Sequence, residues 1–188
     1  FDSMSLNIVV LAKQVPDTRN ICNDVVETSA GTLMAGCDAS TIPSSVTTLG
    51  PEAFVGCYGL ENIELPSSVT TIGSQAFFYC KNLRTLTLPE SVTRIEERAF
   101  CGCDSLETVY ISNSTKYIGY GAFLHDDNIK AVTIGSGVTS IGAWAFKGLD
   151  AVTSITSNIV DVSSVTMGKD VFEEIDMNAC TLFVPQGT

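Results

Sequence analysis

Leu60-Glu61-Asn62-Ile63-Glu64-Leu65-Pro66-Ser67-Ser68-Val69-Thr70-Thr71-Ile72-Gly73-Ser74-Gln75-Ala76-Phe77-Phe78-Tyr79-Cys80 is one copy of a pattern that runs through most of the chain. Its Ala-Phe pair is one of five, Ala53-Phe54, Ala76-Phe77, Ala99-Phe100, Ala122-Phe123 and Ala145-Phe146, each 23 residues after the one before. Other apolar columns keep that step: Leu60, Leu83, Leu106, Ile129 and Val152; Ile63, Leu86, Val109, Val132 and Ile155; Leu49, Ile72, Ile95, Ile118 and Ile141. A fixed period of this length signals an array whose units cannot bury their apolar faces alone. Stacking supplies the opposite wall.

Within a unit, Leu83-Arg84-Thr85-Leu86-Thr87-Leu88 ends in period-2 alternation, which predicts a short strand with one face buried. Pro66 and Pro89 end that strand because proline offers no amide to a ladder and fixes φ. A second extended piece, Ser-Val-Thr-x-Ile, follows. Gly50, Gly73, Gly119 and Gly142 come next and predict a corner with positive φ, with Glu96 as the exception. The stretch from Gln75 to Cys80 is too short for a free-standing helix and predicts a single 3₁₀ or α turn with Ala and Phe inward.

These elements define a right-handed, β-dominant repeat solenoid with short helical turns, forming a single domain over residues 1–188. Residues 1–42 hold partial and variant repeats. Phe1-Asp2-Ser3-Met4 matches the end of a unit, and Asp24–Glu27 and Thr32–Met34 predict a hairpin turned at Ser29-Ala30-Gly31. Residues 43–157 hold five regular repeats. Residues 158–188 form an irregular last repeat, in which Val171-Phe172 stands 26 residues after Ala145-Phe146 and a C-terminal cap is expected beyond the end.

Pro66–Cys80 resembles the consensus of BspA-type leucine-rich repeats, a bacterial cell-surface class, and the likeness covers the five units from about Pro43 to Ile155. Asp17–Gly36 with Cys37 resembles a variant unit of such proteins from gut anaerobes, and Thr181–Thr188 is similar to the start of their cap. The resemblance implies export, location at the surface or in the medium, and adhesive binding of host or microbial proteins or glycans. A second likeness, of Leu6–Thr18 to the first strand of electron-transfer flavoprotein beta subunits, covers about 13 residues and is followed by no strand–helix alternation. It reads as coincidence.

Charge narrows the partners. Of 188 residues 21 are acidic and 10 basic, for a net charge of −11, so the molecule repels polyphosphate, and no Lys/Arg cluster marks a nucleic-acid or anionic-lipid surface. The longest apolar run, Ile8 to Ala12, is far below the roughly 20 residues that span a bilayer. Cys57, Cys80 and Cys103 share a column in which Asp126 and Leu149 also stand, so they read as reduced packing thiols; laddered Cβ atoms about 4.8 Å apart exceed the usual disulfide separation. Cys22 and Cys37 leave two readings open, a bridge across the variant coil or two reduced thiols. His125 beside Asp126 and Asp127 invites a catalytic reading, but Ser114 and Thr115 read as solvent-side hydroxyls with nothing to orient them. Glu96-Glu97 and Glu173-Glu174-Asp176 lack calcium-loop spacing. No catalytic residue, metal or cofactor is expected.

The strand face pointing away from the core is the candidate site, expected to be concave. Its central column is Glu64, Thr87, Tyr110, Thr133 and Thr156, flanked by Arg84, Glu107 and Lys130. Tyr110 stands out because aromatic and Arg side chains are the usual interface anchors. The structural ladder is Phe54, Phe77, Phe100, Phe123 and Phe146 with Cys57, Cys80 and Cys103. The reading is a non-enzymatic, monomeric recognition module of adhesin type; the alternative is a spacer that projects another domain.

Overall fold

The computed structural model describes residues 26–27, 32–34, 42 and 44–185. It is a parallel β-solenoid with a three-sided coil. One side carries two-residue strands: β3 (Thr48–Leu49), β5 (Thr71–Ile72), β7 (Arg94–Ile95), β9 (Tyr117–Ile118), β11 (Ser140–Ile141) and β13 (Thr166–Met167). A second side carries longer strands: β4 (Asn62–Glu64), β6 (Thr85–Thr87), β8 (Thr108–Ile111), β10 (Ala131–Ile134), β12 (Ser154–Ser157) and β14 (Thr181–Phe183). The third side is a stack of turns.

Register follows the sequence period: Thr48 lies beside Thr71, Thr71 beside Arg94, and Ala131 beside Ser154. With β1 (Val26–Glu27) and β2 (Thr32–Met34) at its start, the short-strand sheet runs unbroken in the order β1-β2-β3-β5-β7-β9-β11-β13. It begins with the expected hairpin, since β1 pairs antiparallel with β2. The long-strand wall is interrupted once: β4-β6 form one sheet and β8-β10-β12-β14 another. Near the C-terminal end Ser140 pairs with Thr166, and the extra residues of that coil hold a 3₁₀ turn, Val162–Ser164, capped by Asp161. Phe1–Met4, Leu6–Thr18, Cys22, Cys37, the Ser29–Gly31 turn and the last three residues lie outside the described residues.

The core is a set of side-chain columns. Phe54, Phe77, Phe100, Phe123 and Phe146 are fully buried and stack ring on ring, with centroids 4.9 to 5.4 Å apart and planes within 9° of parallel. Phe172 extends the row at 5.6 Å. Such spacing equals the distance between neighbouring strands, so the backbone ladder sets the ring separation. Leu49, Ile72, Ile95, Leu83, Leu106 and Ile111 fill the interior beside the rings.

The third side differs from the expected helical turn. No helix forms there; instead the amides alternate. Phe54 N–H donates to Ala76 O of the next coil at 2.7 Å, as do Glu52 to Ser74 and Gly56 to Phe78, while Ala53, Val55 and Cys57 donate three residues back within their own coil. At the corners of the walls the direction reverses, since Thr70 N–H donates to Thr47 O and Gly73 N–H to Leu49 O of the preceding coil. Alternation needs left-handed backbone twice per coil, at Glu52, Gln75, Arg98, Gly121 and Trp144 and again at Gly56, Tyr79, Gly102, His125 and Gly148. A helix would have directed every amide inside its own coil and left the coils unbonded here.

Two further corrections concern single residue types. Gly73, Gly119 and Gly142 are not left-handed. They are glycine because the coil below is too close: a Cβ on Gly73 would lie 2.5 Å from Leu49 O, and one on Gly119 2.5 Å from the Glu96 carbonyl carbon. Nothing in the structure explains why Glu96 is tolerated in that column. Cys57 is disulfide-bonded to a partner outside the described residues, whereas Cys80 and Cys103 are free, buried thiols that donate to Phe54 O and Phe77 O. Burial pushes the Cys80 thiol up to about 12 and Cys103 well above its usual value. The expectation of a reduced column therefore fails at Cys57, where the unit meets the variant coil rather than a regular one.

Because a coil's only opposite walls are its neighbours, Phe100→Ala removes contacts on both sides. Chemical denaturation should show a loss of about 3–5 kcal/mol relative to the native sequence. A loss below about 1 kcal/mol would mean that the ring column is not what joins the coils.

Candidate recognition face

The long-strand wall turns alternate side chains to solvent because its inward positions are the Ile63, Leu86, Val109, Val132 and Ile155 column. Glu64 and Thr87 are exposed, Thr133 and Thr156 half-buried, and Tyr110 is 46% exposed. Thr133 pairs with Tyr110 on one side and Thr156 on the other. The Tyr110 ring has no stacking or cation–π partner among the described residues, and its hydroxyl makes only a long 3.5 Å contact to Glu90. Arg84, Glu107 and Lys130 are exposed at the start of the same strands. Lys130 Nζ lies 2.8 Å from Glu107 Oε2, and this bond holds the Glu107 carboxyl below its ordinary value. A shallow hollow of about 210 Å³ is lined by Arg84, Ser105, Glu107, Asn128 and Lys130. All the columns proposed from the sequence thus meet on one wall.

The remaining sequence candidates scatter. His125 is exposed and left-handed in a turn, where its Nδ1 occupies the space a Cβ on Gly148 would need. Thr115 is not at the surface: it is fully buried and donates to Val92 O at 2.9 Å. It stands in the column of Val69, Val92 and Val138, a signal present in the sequence but overlooked. Ser114 is half-buried, on the connection between β8 and β9. Glu96 pairs with Arg94, and Glu173 and Glu174 pair with Lys147. Among the described residues no three His, Cys, Asp or Glu side chains converge as metal ligands, and no helix is long and apolar enough to cross a membrane.

A second exposed aromatic stands on this wall: Phe183 of β14 is 54% exposed and continues the Tyr110 column beside Thr156, whereas the remaining exposed or half-exposed rings lie off it. Tyr58 and Tyr79 are 49% and 45% exposed beside the turn stack. Arg98, Tyr120, Trp144 and Lys147 form a row of ring and cation contacts in which Tyr120 and Trp144 already have partners. Their rings brace the outer corner, in contrast to the open ring of Tyr110.

With this geometry the chain belongs to the family described as BspA type leucine rich repeat region, six copies of which match residues 35–153. Solved structures agree on the fold. The T. pallidum leucine rich repeat protein TpLRR is 24% identical, with a TM-score of 0.55, over 83% of this chain and 86% of that one. The pneumococcal vaccine antigen PcpA is 21% identical, with a TM-score of 0.69, over 87% of this chain and 41% of its own. A leucine rich cell surface protein of Faecalibacterium prausnitzii is 23% identical, with a TM-score of 0.51, over 72% of this chain. The chain therefore spans less than half of the pneumococcal antigen and 53% of the Faecalibacterium protein. No curated protein matches.

One carboxyl lies inside the core. Asp126 replaces cysteine in the column between Cys103 and Leu149 and is fully buried. Its Oδ1 accepts the Cys103 N–H at 2.7 Å, while Oδ2 has no partner. Burial raises its pKa well above the carboxylate range, against the lowering effect of the amide bonds. The unfolded carboxyl titrates near ~3.9, so ionisation destabilises the fold increasingly as pH rises from there through the higher folded value. Asp126→Leu, copying Leu149, should therefore raise the urea midpoint at pH 7, with the advantage shrinking as pH falls toward 4. An advantage independent of pH would rule out this assignment.

Proposed function

We propose that this chain is a recognition module displayed at a bacterial surface or released from it, binding a protein or glycan through the long-strand wall. The observation that carries this reading is Tyr110, an aromatic side chain with an open ring among Thr87 and Thr133 on a rigid ladder. Anchors of that kind supply most of the energy of a typical interface. The descriptions of similar structures as a cell surface protein and a vaccine antigen support the location. The net charge of −11 argues against nucleic acid. Among the described residues of the wall no nucleophile stands beside an orienting base, which supports a role in binding.

The test is an array of immobilised matrix proteins, glycans and whole bacterial or host cells, probed with the native chain and with Tyr110→Ala. We expect a bound class whose signal falls at least tenfold in the variant while circular dichroism and thermal midpoint stay unchanged. Silence of the native chain on every surface would favour a spacer that carries another domain outward.

A further inference from the structure

The one interruption of the long-strand wall coincides with its hollow. Arg84 enters β6 and Glu107 enters β8, so these residues stand on opposite sides of the break, with Ser105, Asn128 and Lys130 completing the lining. Every lining group is polar or charged. Lys130 and Glu107 satisfy each other at 2.8 Å. Arg84 has no side-chain hydrogen bond or ion pair among the described residues, which leaves its guanidinium open to solvent. The lining thus carries two cations and one anion, with Glu61 beside Arg84 on the neighbouring coil and the Arg84 charge also felt by Glu107. A guanidinium is a planar fork of donors matched to the two oxygens of a carboxylate.

Hydroxyl-bearing ligands suit the rest of the lining. Ser105 offers a hydroxyl, and the Asn128 amide nitrogen is committed to Asp104 O, which leaves its Oδ1 as an acceptor. No apolar side chain lines the hollow, so it lacks the pocket in which a peptide side chain would be buried. Three residues beyond Glu107, roughly 10 Å along an extended strand, the open ring of Tyr110 can take the apolar face of a sugar ring. Resting on the reading of this wall as the recognition face, we infer that the break between β6 and β8 is a subsite for the carboxylate of an acidic sugar chain. Arg84 pairs with the uronate group and Tyr110 packs under a neighbouring ring.

The probes are oligogalacturonate and hyaluronan oligosaccharides, their carboxyl-reduced neutral counterparts, and poly-glutamate, each titrated calorimetrically into the full chain. We expect binding of at least one uronate probe, weakened at least tenfold by carboxyl reduction and by Arg84→Gln, partly restored in Arg84→Lys, and weakened by added salt. Tyr110→Ala should weaken the acidic and neutral forms alike. Equal binding of the neutral counterpart, or no effect of Arg84→Gln in a variant of unchanged thermal midpoint, overturns the carboxylate subsite. Preference for poly-glutamate overturns it in favour of an acidic peptide. If no uronate binds but another ligand on the array still depends on Tyr110, the subsite falls and the wider reading of the wall stands; silence on the array as well removes both.

Discussion

Coil-to-coil contact is the constraint on which this structure depends. A unit of 23 residues has one apolar interior and nothing of its own to close it. Once a like unit lies on top, Phe77 meets Phe54 and Phe100 at the strand spacing, and the same displacement brings the amides of one coil within bonding distance of carbonyls on the next. Packing and hydrogen bonding are therefore satisfied by a single translation. Residue choice at a given position follows from what lies above and below it more than from its neighbours along the chain.

That logic explains what could be read beforehand. The Ala-Phe columns, the inward apolar positions and the placement of Tyr110, Arg84, Glu107 and Lys130 on one wall all follow from periodicity, because a column in sequence is a column in space. The turn stack was harder. Left-handed Gln75, Tyr79 and Trp144 carry no local mark of their conformation; the signal was the glycines Gly56, Gly102, Gly121 and Gly148 standing in the same columns, legible only when units are compared. The corner glycines show the converse error: Gly73 is needed for the approach of Leu49 and Gly50, a contact invisible along a single unit. Thr115 follows its column rather than its hydroxyl and is buried with Val69, Val92 and Val138.

Asp126 and Cys57 mark where the regularity is disturbed. Each occupies the cysteine column, and each departs from it in chemistry: one by bringing a carboxyl into the interior, the other by forming a covalent link at the boundary with the variant coil. The break between β6 and β8 is a third departure, on the outer wall. Irregularities in a repeat are informative for the same reason that its regularities are, since each opposes a pattern that every neighbouring coil reinforces.

The opposed amide directions on the three sides have a consequence for length. In an α-helix all peptide dipoles point one way and sum to partial charges at the two ends. Here the turn-stack amides point toward the C-terminal neighbour and those at the wall corners toward the N-terminal one, so their axial components offset each other. Adding coils then builds up little polarisation along the rod, and a solenoid of this type can grow without accumulating charge at its tips.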